Sequence, residues 1–203
     1  MLITAIEPRR KGLSALYLDG EFALKLDTVT LLENRCDVGR ELDDDELRGL
    51  IAESNERRAK EKALWLISYR SHSKKELTDK IRRTCDEESA QKAVERMEEL
   101  GLINDEDYAR RCAEQLIFTK RLSRRGAVAE LSRKGIDRDL AEEAVEELDV
   151  DEQENIRFVI EKKYRDIADE KIKRRAVACL QRMGYGWDDI KSVIREYTED
   201  EEL

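Results

Sequence analysis

Ser73–Ala109 reads SKKELTDKIRRTCDEESAQKAVERMEELGLINDEDYA, and the reading of this stretch decides the fold. Ser73-Lys-Lys-Glu76 has the form of a capping box: the serine oxygen takes an orphan helix N–H, and the glutamate reaches back to the serine amide. A short helix follows, with Leu77 and Ile81 on one side. A second helix is predicted from the helical spacing of Ala90, Ala93, Val94 and Met97. Gly101 stops it, and Asn104 with Asp107 opens the next.

The unit recurs. Ile81, Leu131 and Leu180 align at intervals of 50 and 49 residues, and Leu77, Ala127 and Ala176 precede them by four. Thirteen residues past each anchor stand Val94, Ala144 and Val193. Gly135-Ile136 and Gly184-Tyr185 follow the second and third anchors, a glycine-then-apolar pattern suited to a left-handed helix C-cap. The first copy has Cys85 there, so its cap must differ. A fixed period of this length marks stacked helical repeats, each too small to bury its own apolar face alone. Each repeat reads as three helices. The expected organisation is a β-hairpin module over 1–44, a linking helix over 45–56, and repeats over 57–104, 105–150 and 151–203. The fold class is mainly α, with the three repeats forming an elongated curved array.

Composition agrees. Charged residues make up 43% of the 203, against roughly 25% in ordinary domains, and there is one proline. Long solvated helices fit this better than a compact α/β core. No apolar run approaches the ~18 residues that a membrane helix needs, and no basic-then-apolar leader opens the chain. Cys36, Cys85, Cys112 and Cys179 form no C-x-x-C pair; buried free thiols in a reducing cytoplasm are expected.

The N-terminal residues behave differently. Asp19-Gly20 is a strong two-residue hairpin turn. Closing it there pairs Tyr17 with Phe22, Ala15 with Leu24 and Leu13 with Leu26 as one apolar face, leaving Ser14, Glu21 and Lys25 partly wet. A third strand near Leu2–Glu7 and a short helix over Thr28–Glu33 are expected beside it. Val38–Leu42 then breaks the pattern. Asp43-Asp44-Asp45 suits the start of a helix running to Tyr69, with Ala59, Ala63, Leu66 and Ile67 inward.

Net charge is −9, which argues against wholesale nucleic-acid binding, but its distribution is uneven. Arg70–Arg83 holds six Lys/Arg against two acids, Thr119–Lys134 six against one, and Lys171–Arg182 five against none. The third helices have the opposite sign. Stacking would align the basic second helices into a stripe able to contact phosphates or an acidic protein surface; alternatively, the basic and acidic faces pair with each other. The candidate binding residues are Arg70, Lys74, Lys75, Arg82, Arg83, Lys120, Arg121, Arg124, Arg125, Lys173, Arg174 and Arg175. Few aromatics interleave with them, so no base-stacking platform is evident. Trp65 and Tyr69 read as core or rim packing, and Trp187 as a hydrophobic staple. His72 reads as a surface residue rather than a catalytic base. No phosphate loop or metal-ligand spacing appears, so no enzyme activity, catalytic residue, metal or cofactor is expected.

Tyr69-Arg-Ser-His-Ser73-Lys-Lys-Glu76-Leu77 and Gly101-Leu-Ile-Asn-Asp105-Glu-Asp-Tyr108-Ala109 resemble the RecX family of recombinase regulators. Leu18–Phe22 and Val38–Leu42 are similar to the family as well. The resemblance covers nearly the whole chain. It implies a regulator that binds the RecA–DNA filament and modulates, usually by inhibition, its ATPase and strand exchange. The partners implied are the RecA filament and DNA, single- or double-stranded and bound weakly alone. A cytoplasmic monomer without membrane contact is expected. Family members are often basic, whereas this chain is acidic, which favours filament contact over autonomous DNA binding. The alternative is a helical-repeat DNA-binding module or adaptor acting without RecA.

Overall fold

The computed structural model describes residues 1–164 and 167–199. Two compact units divide the chain, Met1–Ile103 and Asn104–Leu203.

In the first unit, β1 (Ile3–Pro8), β2 (Leu13–Leu18) and β3 (Glu21–Asp27) form an antiparallel meander. Asp19 and Gly20 both take positive φ (51° and 90°), as the two-residue turn requires. The register departs from expectation beyond the first pair. Tyr17 does oppose Phe22, but an irregularity next to it leaves Ala15 opposite Lys25 and Leu13 opposite Asp27. One extra residue flips every later side chain to the other face. The buried face is therefore Ile3, Leu16, Leu18 and Leu26, while Phe22 is exposed and meets Tyr17 edge-on. Ser14, expected to be wet, is buried and shares a hydrogen bond with Thr28 at 2.9 Å.

Helix α1 (Thr28–Glu33) caps this sheet, with the Asp27 carboxylate accepting from the Thr30 amide. Leu31, Cys36, Leu42 and Leu50 complete the core beneath. The Val38–Leu42 break has a purpose: Gly39, at φ 95°, lets the chain lie beside the N-terminus. There the Ile3 amide donates to the Arg40 carbonyl and the Gly39 amide to the Ile3 carbonyl.

Helix α2 (Asp44–Tyr69) runs unbroken out of this module. Asp43 and Glu46 form a full capping box at its start. Its first half packs Leu47, Leu50 and Ile51 on the sheet core; its second half turns Ala59, Ala63 and Leu66 into a different core. That second core is shared with α3 (Lys74–Ile81) and α4 (Glu87–Glu99).

The second unit holds two more triplets: α5 (Asp105–Glu114), α6 (Arg124–Arg133) and α7 (Arg138–Glu146), then α8 (Glu152–Lys163), α9 (Glu170–Arg182) and α10 (Trp187–Glu199). A π-helical turn, Gln115–Thr119, extends α5. Each triplet has its own core. Ile81, Leu131 and Leu180 are each 0% exposed, as are Leu77, Ala127 and Ala176. Val94, Ala144 and Val193 are buried too, so the 50- and 49-residue register aligns physically equivalent positions. Each fully buried Leu or Ile contributes about 1.5–3 kcal/mol of transfer free energy.

The caps follow the glycine pattern. Gly135 (φ 89°) and Gly184 (φ 96°) end α6 and α9 in paired C-cap hydrogen bonds. Ile136 N–H reaches the Leu131 carbonyl and Tyr185 N–H the Leu180 carbonyl. At the end of α3, in the first copy, no residue turns left-handed; the Thr84 and Cys85 amides both fold back onto the Ile81 carbonyl. Cys36 is the buried thiol; Cys85, Cys112 and Cys179 are half-buried. The tail Glu199–Leu203 lies outside the described residues, save for the backbone of Glu199.

Candidate functional site: the basic second helices

The second helix of each triplet turns two small or aliphatic residues inward, and the repeat register then sorts its cations. Lys74, Arg124 and Lys173 share one position, Lys75, Arg125 and Arg174 the next, and Arg83, Arg133 and Arg182 a third, each at intervals of 50 and 49 residues.

The first position is tied down in every copy. Lys74 pairs with Glu98. Lys173 pairs with Glu170 at 3.4 Å. Arg124 donates to the carbonyls of Val145 (3.1 Å) and Leu148 (2.9 Å), closing the C-terminal end of α7. Its own amide donates to Glu152 at 2.6 Å. Arg124 was expected on the binding stripe; instead it is a cap, because a guanidinium can satisfy the orphan carbonyls that a helix end leaves.

Arg121 is the second correction. Its backbone is left-handed (φ 57°), its carbonyl accepts the Tyr185 hydroxyl at 2.7 Å, and its guanidinium lies 4.2 Å over the Phe158 ring. A further N–H donates to Asn155 Oδ1. This side chain joins the second and third triplets rather than facing a ligand. Burial pushes the Tyr185 hydroxyl well above the usual phenol range, so it remains a donor at all relevant pH.

Arg70 and Arg82 are held by their own carboxylates. Arg82 meets Glu87 at 2.6 Å and Asp79 at 4.0 Å. Arg70 grips Glu76 with both terminal nitrogens. Burial alone would raise the Glu76 carboxyl, but the Arg70 hydrogen bonds and charge outweigh it and hold the group below its ordinary value. The Lys74–Glu98 and Arg82–Glu87 pairs join basic α3 segments to acidic α4, so part of the first copy's charge is spent internally.

The other two positions face outward. Lys75, Arg125 and Arg174 are exposed, as are Arg83 and Arg182, and among the described residues none of these five has a carboxylate partner. Arg175 and Lys120 are likewise exposed and without a carboxylate partner among those residues. Arg133 pairs with Glu130 yet stays exposed. Arg133 and Arg182 lie outside the set expected from sequence; the period carried forward from Arg83 points to both.

Within the second unit these residues line an open groove of about 490 Å³, walled by Lys120, Arg125, Arg133 and Arg182. Two glycines make it possible. A Cβ on Gly126 would stand 2.2 Å from the Met183 carbonyl oxygen, and one on Gly184 would stand 2.7 Å from the Gly126 Cα. The Ser123 amide donates to the Met183 carbonyl at 3.1 Å, and Arg125 Nε to the Gly184 carbonyl at 3.2 Å. The end of α9 is thereby pinned to the start of α6.

Two further expectations change. His72 is 3% exposed, not a surface residue. Its Nδ1 lies 2.8 Å from the Arg70 carbonyl, so Nδ1 carries the proton and Nε2 is a buried acceptor without a partner. Burial, with Arg70 beside it, lowers the imidazole below its ordinary value. Trp65 and Tyr69 are 51% and 72% exposed, packed edge-on at 4.7 Å on the outer face of α2 with Lys62 over the indole. Neither is core. Among the described residues there is no group of three metal-ligating side chains, and no helix is long and apolar enough to cross a membrane.

Three successive three-helix domains, each with its own core and an outward basic second helix, define a helical-repeat protein. Residues 59–97, 104–145 and 150–194 match, in turn, RecX, first, second and third three-helix domain. The chain is 30% identical over 202 residues to Regulatory protein RecX of Clostridium beijerinckii, covering 94% of this chain and 92% of that one. It is 26% identical to Regulatory protein RecX of Clostridioides difficile, over 96% and 95% of the two. A solved structure, Crystal structure of regulatory protein RecX, shares the fold at a TM-score of 0.63 and 21% identity, covering 95% of this chain and 98% of that one. The chain belongs to the RecX family.

Proposed function

We propose that this protein regulates the RecA recombinase by docking along the RecA–DNA filament and modulating, by inhibition, its ATPase, assembly and strand exchange. It acts in DNA repair and recombination, in the cytoplasm, as a monomer without cofactor or catalysis. The family resemblance supplies the partner. The observation that carries the reading is the return of exposed cations to the same register positions in each second helix, while a neighbouring position is spent on structure. A surface repeated at fixed intervals suits a partner that itself repeats. The repeat boundaries proposed from sequence, 57–104, 105–150 and 151–203, are the units that would engage it.

The test is RecA-driven, DNA-dependent ATP hydrolysis with added protein. A dose-dependent fall is expected; an unchanged rate at saturating, folded protein would sink the proposal. Charge reversal belongs at Lys75, Lys120, Arg125, Arg174 and Arg175 rather than at Arg124, whose loss would damage the fold. A second reading, a DNA-binding or adaptor module acting without RecA, is favoured by the groove beside α6. Capture of a different partner with no RecA bound would support it.

A further inference from the structure

Met183 stands on a boundary. It packs against the third core, and it also lines the groove beside α6. One turn back on α9, the half-buried Cys179 thiol donates to its Sδ at 3.9 Å. The chain has two other methionines, and both differ. Met97 is 2% exposed within the first core, and Met1 lies open on the sheet module. Of the three, Met183 alone combines access from solvent with a place at the edge of a core.

A thioether so placed has two environments open to it. Reduced, it is apolar and soft, and it fills the core edge beside a thiol. As a sulfoxide it is polar and carries a strongly accepting oxygen, which disrupts apolar packing. The core edge offers that oxygen little, since a thiol is a weak donor. The groove offers much more. Lys120 and Arg182 line it, both exposed and without a carboxylate partner among the described residues. Both side chains are donors only. The backbone cannot follow the side chain, because the Met183 carbonyl is held by the Ser123 amide at 3.1 Å. A change of oxidation state therefore moves the side chain and leaves the helix end in place.

We propose that Met183 is an oxidation site whose sulfoxide turns out of the third core into the groove, uncovering Cys179. The oxidant is a hydroperoxide. Its outer oxygen bonds to Sδ as the O–O bond breaks, its proton passes to the leaving oxygen, and an alcohol departs, or water where the oxidant is hydrogen peroxide. The sulfur is oxidised by two electrons and the peroxide reduced by two. Methionine sulfoxide reductases reverse the change. The proposal goes beyond the regulatory reading and does not rest on it: the sulfoxide competes for Lys120 and Arg182 with any partner that uses them.

The test uses the full-length protein, treated with hydrogen peroxide and then with dithiothreitol to restore oxidised thiols, and read by peptide mass spectrometry. Sulfoxide should form at Met183 at least about tenfold faster than at Met97, which meets solvent only when its core opens. Alkylation of Cys179 by iodoacetamide should then rise severalfold, while that of Cys85, half-buried against the first core, stays constant. Methionine sulfoxide reductases A and B together should return the Cys179 rate to its starting value. Met183→Leu should show no rise after peroxide. Lys120→Ala with Arg182→Ala should form the sulfoxide yet show a smaller rise, because fewer donors hold it in the groove. Circular dichroism is recorded on every sample. Oxidation of Met183 as slow as that of Met97, unchanged Cys179 labelling in the oxidised protein, an equal rise in either variant, or loss of helicity on oxidation would overturn the proposal.

Discussion

Gly126 and Met183 meet backbone to backbone, with space on Gly126 for a hydrogen and nothing larger: an added methyl would lie 2.2 Å from the Met183 oxygen. Two effects oppose each other at this position. Alanine is the better helix former by about 1 kcal/mol. The clash, however, is with a carbonyl fixed by its hydrogen bond to Ser123, so no rotamer change can relieve it. Overpacking costs about 1–3 kcal/mol and should win. Gly126→Ala is expected to lower the urea midpoint; a neutral or stabilised variant would show that α6 and α9 are not locked at this point.

Arg124→Ala removes two charge-assisted hydrogen bonds to helix-end carbonyls. A loss of about 2–3 kcal/mol is expected, as for bonds to charged groups. Arg174→Ala, one register position on and exposed, should stay within about 0.5 kcal/mol of wild type. Equal stabilities in denaturant titration would refute the division of the cations into structural and outward sets.

His72 should make the protein acid-sensitive. Its folded pKa lies below the ordinary value of about 6.5, so the unfolded chain takes up the proton first as pH falls. Stability is therefore complete above about pH 6.5 and declines below it until the lower folded pKa is reached. The charged groups facing the imidazole are Arg70, Glu76 and Lys80. His72→Asn retains a donor for the Arg70 carbonyl and cannot titrate. Its urea midpoint should fall less than the wild-type midpoint between about pH 7 and 5, and parallel curves would count against the buried acceptor.

Tyr185→Phe deletes the hydroxyl that donates to the Arg121 carbonyl. The carbonyl is left without that donor, and about 1 kcal/mol should be lost. A variant as stable as wild type would mean that Arg121 holds its left-handed backbone without help.

Helix spacing and the three aligned cores were legible because each is written locally: Ser73 and Asn104 cap as read, while the caps at Asp86, Ser123 and Asp151 are supplied by the structure. The sheet register was not, because nothing in Leu16–Leu26 announces the extra residue that moves Tyr17 and Phe22 to the outer face. Cations were the harder problem. Lys74 and Lys75 are neighbours of one type, yet one pairs with Glu98 and the other faces solvent. Only the direction of each side chain on its helix tells them apart. Arg121 and Arg124 mislead for the same reason, since a guanidinium satisfies buried carbonyls as readily as it satisfies phosphates. Gly126 does carry a signal of its own, since a glycine kept within a helix usually has a packing reason.

Because Ile81, Leu131 and Leu180 each anchor a separate apolar cluster, no single cluster holds the chain together. The chain divides into two compact units, Met1–Ile103 and Asn104–Leu203, so amide exchange should resolve into two blocks that follow that division. A protein assembled this way can loosen one half of its chain while the other keeps its fold.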